Sequence, residues 1–540
     1  MKLELILSRD ELNPVLEPEA YAECTLRCVR DDGTAEEIPW EKAALSAYPV
    51  FYSESRELVR IEGNRIYGLC GGLAEIKASW RGRSAGARLV VRPYWHEYHR
   101  ALTMKFFLGI EGSLAPLNPD AEYADRYRDS AEFLNCEQVL ELIRRMDALT
   151  LGVPKIVYLV GWQKGGHDHM YPAQSIFNER LKRPRDSCMA ESLGWLIREA
   201  RRYHTTVSLH TNLNDAYRSS PRFEEFDRAG GIARNADGSY VQYRECAYGE
   251  YMMAVSLTGA WRAGLIRREL EALFAAVPEL LETHTIHVDN MVAKNHETAG
   301  PLDPYRGISI EDDEQTIREI ILYLRQKGMD VTSEGVFHLK DDPMVGLQAM
   351  SYWFDGFDPM EMPASLYCGG RYGRSDFDPR FGDNAGVESL LLSNAYQGRD
   401  LLDGFADEFC LYTLPWIFLN QEKPLSFEDG RVAYTGGVTA QLENGNIVIR
   451  QNGRLIRQGT SLCVPVSWNG RKEMLAYGLR ELCMYVQVPE DWGNAKAVRI
   501  EIVTEAGALP YQSHVPLEGR RGFFLKALPR LLLRITPEEN

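Results

Sequence analysis

Two acidic side chains stand where carboxylates can do chemistry. Asp289 closes the run Thr285-Ile286-His287-Val288-Asp289, in which strand alternation turns His287 and Asp289 toward one layer and Ile286 and Val288 toward the other. A carboxylate at the end of an apolar strand is costly unless it is paired or used; the plainer roles are a helix cap or a buried hydrogen bond. Glu334 follows Val331-Thr332-Ser333 and precedes Gly335. Glutamate favours neither strands nor turns, so local propensity does not explain it, which leaves a salt bridge as the plainer role. A partly apolar setting would raise such a carboxyl toward about 6 to 7, the range suited to a general acid. The interval between the two leaves room for one loop and one helix. Carboxylates on neighbouring strands of one mouth are the pair that glycoside hydrolysis needs, one to attack the anomeric carbon and one to protonate the leaving oxygen.

Other polar groups cluster just past two earlier strands. The run 155–161 leads into Trp162, Gln163, His167, Asp168 and His169, and the run 205–209 into His210, Asn212, Asn214 and Asp215. Trp162 could stack on a sugar face or simply fill the rim of the core, while Asn212 and Asp168 could hydrogen-bond hydroxyls. The rival chemistry is a metal site. His167-Asp168-His169, with His210 and Asp289, matches the ligand types of metal-dependent amidohydrolases. Here the pair lies beyond its strand, after Gly165 and Gly166, and no lysine at a later strand end could be carbamylated. Glu245, Glu250, Asp355 and Asp358 are reserve acids, Tyr352, Trp353 and Phe354 are candidate core or stacking aromatics, and His96 with His99 suggests an interdomain hinge.

The elements that must position these residues are legible as texture. Between about 100 and 420, short apolar runs (105–110, 155–162, 205–212, 285–291, 330–337) alternate with amphipathic stretches at 137–150, 189–204, 261–277 and 314–329. Buried strands alternating with helices predict a parallel sheet, and over such a length an α/β fold with a central (β/α)8 TIM-like barrel. Residues 364–370 are a candidate late strand, and VESLLLSNAY and EFCLYTLPWIFLN are candidate helices. Alternating runs broken by turn signals before and after predict N-terminal and C-terminal β-sandwich domains. The expected divisions are 1–99, 100–423 and 424–540. In a barrel of this kind the groups just past the C-terminal strand ends form the mouth.

The chain has 540 residues with a net charge of −16, which argues against a nucleic-acid backbone as partner. No apolar run reaches the roughly 20 residues of a spanning helix, so no membrane partner is expected. The start, MKLELILSRDELNP, does not read as an export signal, and the ten scattered cysteines read as reduced thiols. The expectation is a cytoplasmic enzyme acting on a carbohydrate, compatible with self-association and needing no cofactor.

Several segments resemble a known family. VYLVGWQKGGHDHMYP (157–172) resembles the Gly-Trp-Gln to Gly-His-Asp segment of the endo-α-N-acetylgalactosaminidases of glycoside hydrolase family 101, and SLHTNLNDAY (208–217) is similar to their His-x-Asn strand. IHVDN (286–290) and TSEG (332–335) look like the strands carrying their nucleophile and acid/base. The related intracellular α-N-acetylgalactosaminidases of family 129 share these elements. The resemblance covers roughly 100–420. It implies a retaining glycosidase for α-linked N-acetylgalactosaminides or galactosides, with Asp289 as nucleophile and Glu334 as acid/base. Trp162, Gln163, His167, Asp168, His210 and Asn212 would contact the terminal sugar. With no export signal and none of the appended modules of the secreted enzymes, exo action is expected. A non-catalytic carbohydrate-binding protein stands as the remaining alternative.

Overall fold

In the computed structural model, the described residues are 1–51, 57–110, 131–245, 251–291, 301–334, 347–348, 364–366, 386–519 and 521–538. The first ninety or so residues form two facing sheets. One joins Lys2–Leu7, Tyr21–Val29, Arg65–Gly68, Val59–Glu62 and Ala35–Glu37; the other joins Glu11–Leu12, Arg83–Val91, Gly72–Trp80 and Ala44–Phe51. Alternation explains the packing: in Tyr21–Val29 the buried residues Ala22, Cys24, Leu26 and Cys28 point inward and their neighbours outward. The described cysteines are free thiols, and Cys24, Cys28, Cys136, Cys410 and Cys463 are buried.

The centre is a six-stranded parallel sheet in the order Leu102–Phe107, Lys155–Val160, Thr205–Thr211, Thr285–Val288, Asp330–Ser333 and Leu347–Gln348. Each strand pairs with the next in the chain, so the sheet winds in one direction, whereas a doubly wound sheet would reverse. The helices between are amphipathic. Cys136–Leu149 buries Val139, Leu142, Ile143 and Met146, and Asn135 closes its first turn with a capping box; Ser309 does the same for Ile310–Gln326. The stretch 261–277, expected as one helix, is two (Leu257–Arg262 and Leu265–Ala276), broken at Gly264 with φ +73°. Helix Gly386–Tyr396 returns to the first strand, setting Leu391, Leu392 and Ala395 against Phe106 and Phe107. An eight-stranded ring is not present among the described residues. Ala364–Leu366, expected to begin a strand, is a 3-10 turn, and 367–385 lies outside the described residues. Glu250, Asp355, Asp358, Tyr352, Trp353 and Phe354 lie outside them as well.

The C-terminal region departs from an even sandwich. It is one ten-stranded sheet over Pro424–Glu538, antiparallel throughout, faced by a two-stranded ribbon of Leu482–Gln487 and Gly522–Ala527. Asn444-Gly445 and Asn452-Gly453 turn its hairpins with φ positive at both residues of each pair, the conformation that Asn-Gly hairpins require. No helix among the described residues is long and apolar enough to cross a membrane.

The segment linking the first sandwich to the sheet is anchored on Asp330 at the start of its strand. Its Oδ2 accepts from the backbone N–H of Trp95 (2.8 Å) and His96 (3.2 Å) and from the Tyr98 hydroxyl (3.2 Å). Burial raises this carboxyl to about 7 despite the opposing effects of Arg325 and these donors. A carboxyl raised in the folded state binds its proton more tightly there than in the unfolded chain, so its contribution to stability falls as pH rises from about 4 to about 7. Wild type is therefore expected to lose its melting-temperature advantage over Asp330→Asn across that range; a gap that does not narrow would contradict the assignment.

Candidate active site

The parallel register sets the geometry. Thr211 pairs with Val288 and Val288 with Ser333, so Asn212, Asp289 and Glu334 each come one residue beyond paired strand ends and form one rung at the C-terminal edge. Two residues inward, on the same face of the strands, lie His210, His287 and Thr332, mutually in register. Neighbouring strands run about 4.8 Å apart, which brings these side chains within reach of one another.

Asp289 is held from one side by Asn212, whose Nδ2 donates to Oδ2 at 3.1 Å, and His210 Nε2 stands 3.8 Å from Oδ1. The same Asn212 amide donates to Asp215 at 2.6 Å, and its oxygen accepts from the backbone N–H of Asn214 and Asp215. Glu334 bonds to the Lys105 ammonium and lies 3.9 Å from His287 Nε2. His210 stacks on His287, ring centroids 4.9 Å apart, and meets His167 edge-on at 5.3 Å. The two carboxylates therefore flank one histidine stack. Both keep a path outward, their side chains being 10% and 13% exposed.

Burial decides the electrostatics. It is the first cause that lifts Asp289 well above the usual carboxylate range, followed by the charge of Glu334 and, more weakly, those of Asp168 and Asp215; Lys105 opposes. Oxygens of Asp168, Asp215 and Asp289 lie within 4.8 Å of one another, which accounts for that repulsion. Glu388, on the helix that returns to the first strand, is raised to about 7 by burial and by Glu334, against Lys105. Burial works against the charge of Lys105, but Glu334, Glu388 and Asp289 together outweigh it and keep the ammonium charged. His210 and His287 are pushed well below their ordinary value by burial and then by Lys105, so both are neutral. Interacting carboxyls of this kind titrate as a set.

The other predicted residues divide by access. His167 and Asp168 are partly exposed; Nε2 of one lies 3.4 Å from Oδ1 of the other, and the Tyr171 hydroxyl meets His167 Nδ1 at 3.4 Å. Two glycines shape this loop. A Cβ on Gly161, where φ is +73°, would overlap the Gly109 carbonyl, the group that accepts from the His167 N–H; a Cβ on Gly166 would collide with Ile110. Trp162, expected as a sugar platform, is instead fully buried, and its indole N–H donates to the His210 carbonyl at 2.9 Å. It shapes the site from beneath. Gln163 is also buried, donating to Gln174 at 3.2 Å, and Asn212 and His210 are buried with it.

The metal arrangement based on His167, His169, His210 and Asp289 is not assembled among the described residues. His169 turns away to Ser219 (3.3 Å) and Tyr217. A different set, His210, His287 and Glu334, does bring ligand-type atoms within 4.8 Å. Lys105 already places a cation on its carboxylate, which disfavours a second one. Sequence reasoning missed Lys105 and Glu388, and set His287 on the layer of Asp289 without giving it a role. A lysine inside the apolar run Leu102–Phe107 was the one available signal.

The chain matches no protein-family model and no curated protein sequence. Among solved structures it is similar to the α-N-acetylgalactosaminidase NagBb of Bifidobacterium bifidum. A quadruple mutant of that protein is 13% identical with TM-score 0.42 over 65% of this chain and 58% of that one. Its complex with Gal-NHAc-DNJ is 12% identical with TM-score 0.44 over 79% and 74%. The type III pullulan hydrolase of Thermococcus kodakarensis is 11% identical with TM-score 0.35 over 96% and 97%. The chain thus spans 58% of the length of the first of these. The likeness is to glycoside hydrolases, at the level of fold, and assigns no family.

Proposed function

We propose that the chain is a retaining glycoside hydrolase, exo-acting on α-linked N-acetylgalactosaminides or galactosides. The observation that carries this reading is the shared rung of Asp289 and Glu334 on adjacent parallel strands, flanking the stacked His210 and His287, each keeping a small exposed fraction. The sugar class follows from the resemblance of segments 157–172 and 208–217. Burial and the charge of Glu334 raise the Asp289 carboxyl, and double displacement starts from one ionised and one protonated carboxyl. In the forward step Asp289 attacks the anomeric carbon, the C–O bond to the aglycone breaks, and Glu334 gives its proton to the departing oxygen. Forming the ester removes the charge of Asp289, which lowers the proton affinity of Glu334. It then serves as base, taking a proton from the water that releases the sugar.

A second assignment is favoured by one contact. Lys105 bonded to Glu334 stabilises that carboxylate in the free protein, which suits Glu334 as nucleophile and Asp289 as acid. A panel of α- and β-nitrophenyl glycosides, with product anomers followed by NMR, tests the reaction. Azide rescue tests the roles: the nucleophile variant should yield a glycosyl azide of inverted configuration and the acid/base variant one of retained configuration. Hydrolysis untouched by Asp289→Asn and Glu334→Gln would exclude the pair. Activity lost to EDTA and restored by zinc would move the reading to the His210–His287–Glu334 set. Sugar binding without turnover of any substrate would move it to a binding protein.

A further inference from the structure

We infer that the cleft between the N-terminal sandwich and the C-terminal sheet is a second binding site, for a small neutral polyhydroxylated molecule of monosaccharide size. This inference does not depend on the proposed reaction. The cleft opens beside the linker segment 97–100, which leads into the N-terminal end of the first central strand, while Asp289 and Glu334 lie beyond the C-terminal ends. A strand of six residues at about 3.3 Å each separates the two ends by roughly 20 Å. The cleft's volume is about 260 Å³, enough for one hexose ring.

Two polar side chains more than nine-tenths buried line it, each with one nitrogen that makes no hydrogen bond. His99 is 5% exposed and its Nδ1 makes no hydrogen bond; Asn420 is 6% exposed and neither does its Nδ2. A buried polar group left unpaired costs free energy, and in native proteins most such groups find a partner in the protein or in bound water. Here the residues that carry two of them line one cleft. His99 is held neutral by burial and by Arg100 and Arg92, so it offers a hydrogen bond and no charge. The charged groups at the rim are largely spoken for: Lys423 binds Asp10 at 2.6 Å, Arg92 binds Glu11 at 2.9 Å, and Arg100 lies 3.6 Å from Glu97. Three cationic side chains against four acidic ones leave no strong field for an anion or a metal ion. Leu73 and Val90 supply an apolar wall for the C–H face of a ring. A neutral imidazole, a primary amide and an aliphatic wall together suit a ligand with hydroxyls on its edge and hydrocarbon on its face.

The test uses the full chain and free galactose, N-acetylgalactosamine, glucose and glycerol, followed by isothermal titration and saturation-transfer NMR. Asn420→Leu and His99→Leu are expected to weaken binding of at least one probe tenfold or more, leaving turnover of nitrophenyl glycosides and any binding competed by active-site ligands unchanged. Should either variant fold poorly, Asn420→Cys supplies the readout, because a bound probe should slow its labelling by a small thiol reagent. Binding of every probe unaltered by all three variants, or occupation of the cleft by water alone in a crystal soaked with each probe, would overturn the inference. So would inorganic phosphate or a divalent cation binding there in place of the sugars.

Discussion

Asp289→Asn is expected to lower kcat on aryl α-glycosides by about 10⁴-fold or more while leaving the protein as stable as wild type or slightly more so. The first half follows from chemistry: an amide cannot form the glycosyl ester, and a nucleophile's removal leaves only binding and positioning. The second half follows from the site. Asp289 sits buried among carboxyls, and burial with the charges of Glu334, Asp168 and Asp215 pushes its proton affinity well up. A carboxyl raised in the folded state costs stability progressively as pH climbs past its unfolded value near 4, so replacing it with a neutral isostere relieves that cost. The gain in melting temperature should accordingly be larger at pH 8 than at pH 5. Asn212 Nδ2 can still donate to the amide oxygen, so the rung keeps its shape. Glu334→Gln should cost less, about 10² to 10⁴-fold, and least on substrates whose leaving group needs no proton. If Asp289→Asn loses activity and also unfolds, Asp289 is structural. If it melts normally and keeps most of its turnover, neither role belongs to it.

The contrast between these two carboxyls and their neighbours shows where a sequence is informative. Asp289 and Glu334 stood out because each interrupts a pattern, an acid ending an apolar strand, and the cost of burying charge is a local argument. Parallel strands paired in chain order then placed them side by side, since register alone fixes which strand ends share a rung. Trp162 was ambiguous for the opposite reason: an indole one residue past a glycine serves rim or core equally, and only the packing under His210 decides. Glu388 looked like an ordinary residue of an apolar helix. Its role depends on that helix crossing back over the first strand, a contact spanning nearly three hundred residues that no periodicity encodes. The histidine pair 167 and 169 is the basis of the rival metal reading, which its place beyond the strand already argues against; the loop turns the two rings apart.

Lys105→Met should destabilise the protein by about 3 to 5 kcal/mol at pH 8 and by much less at pH 5. Among the described residues no other lysine or arginine lies within ion-pair distance of Glu334, Asp289 or Glu388. The ammonium is buried, bonds directly to Glu334, and acts electrostatically on all three carboxyls. Methionine keeps much of the volume and removes the charge. At high pH the folded variant must either hold uncompensated buried carboxylates or bind protons that the unfolded chain releases. At low pH Asp289 and Glu388, both raised, are protonated and less is lost. The sign is that of any acid raised further in the folded state: the penalty grows with pH and levels off above the folded value. Catalysis reports the same shift, because the limb of the kcat/KM profile that requires an ionised carboxylate should move to higher pH. Adding Glu388→Gln removes one of the stranded acids and should recover part of the stability without restoring the profile, since the ion pair of Lys105 with Glu334 is still missing. A penalty equal at pH 5 and pH 8 would mean that Lys105 serves packing alone, and the charge balance proposed for the two catalytic carboxyls would fall with it.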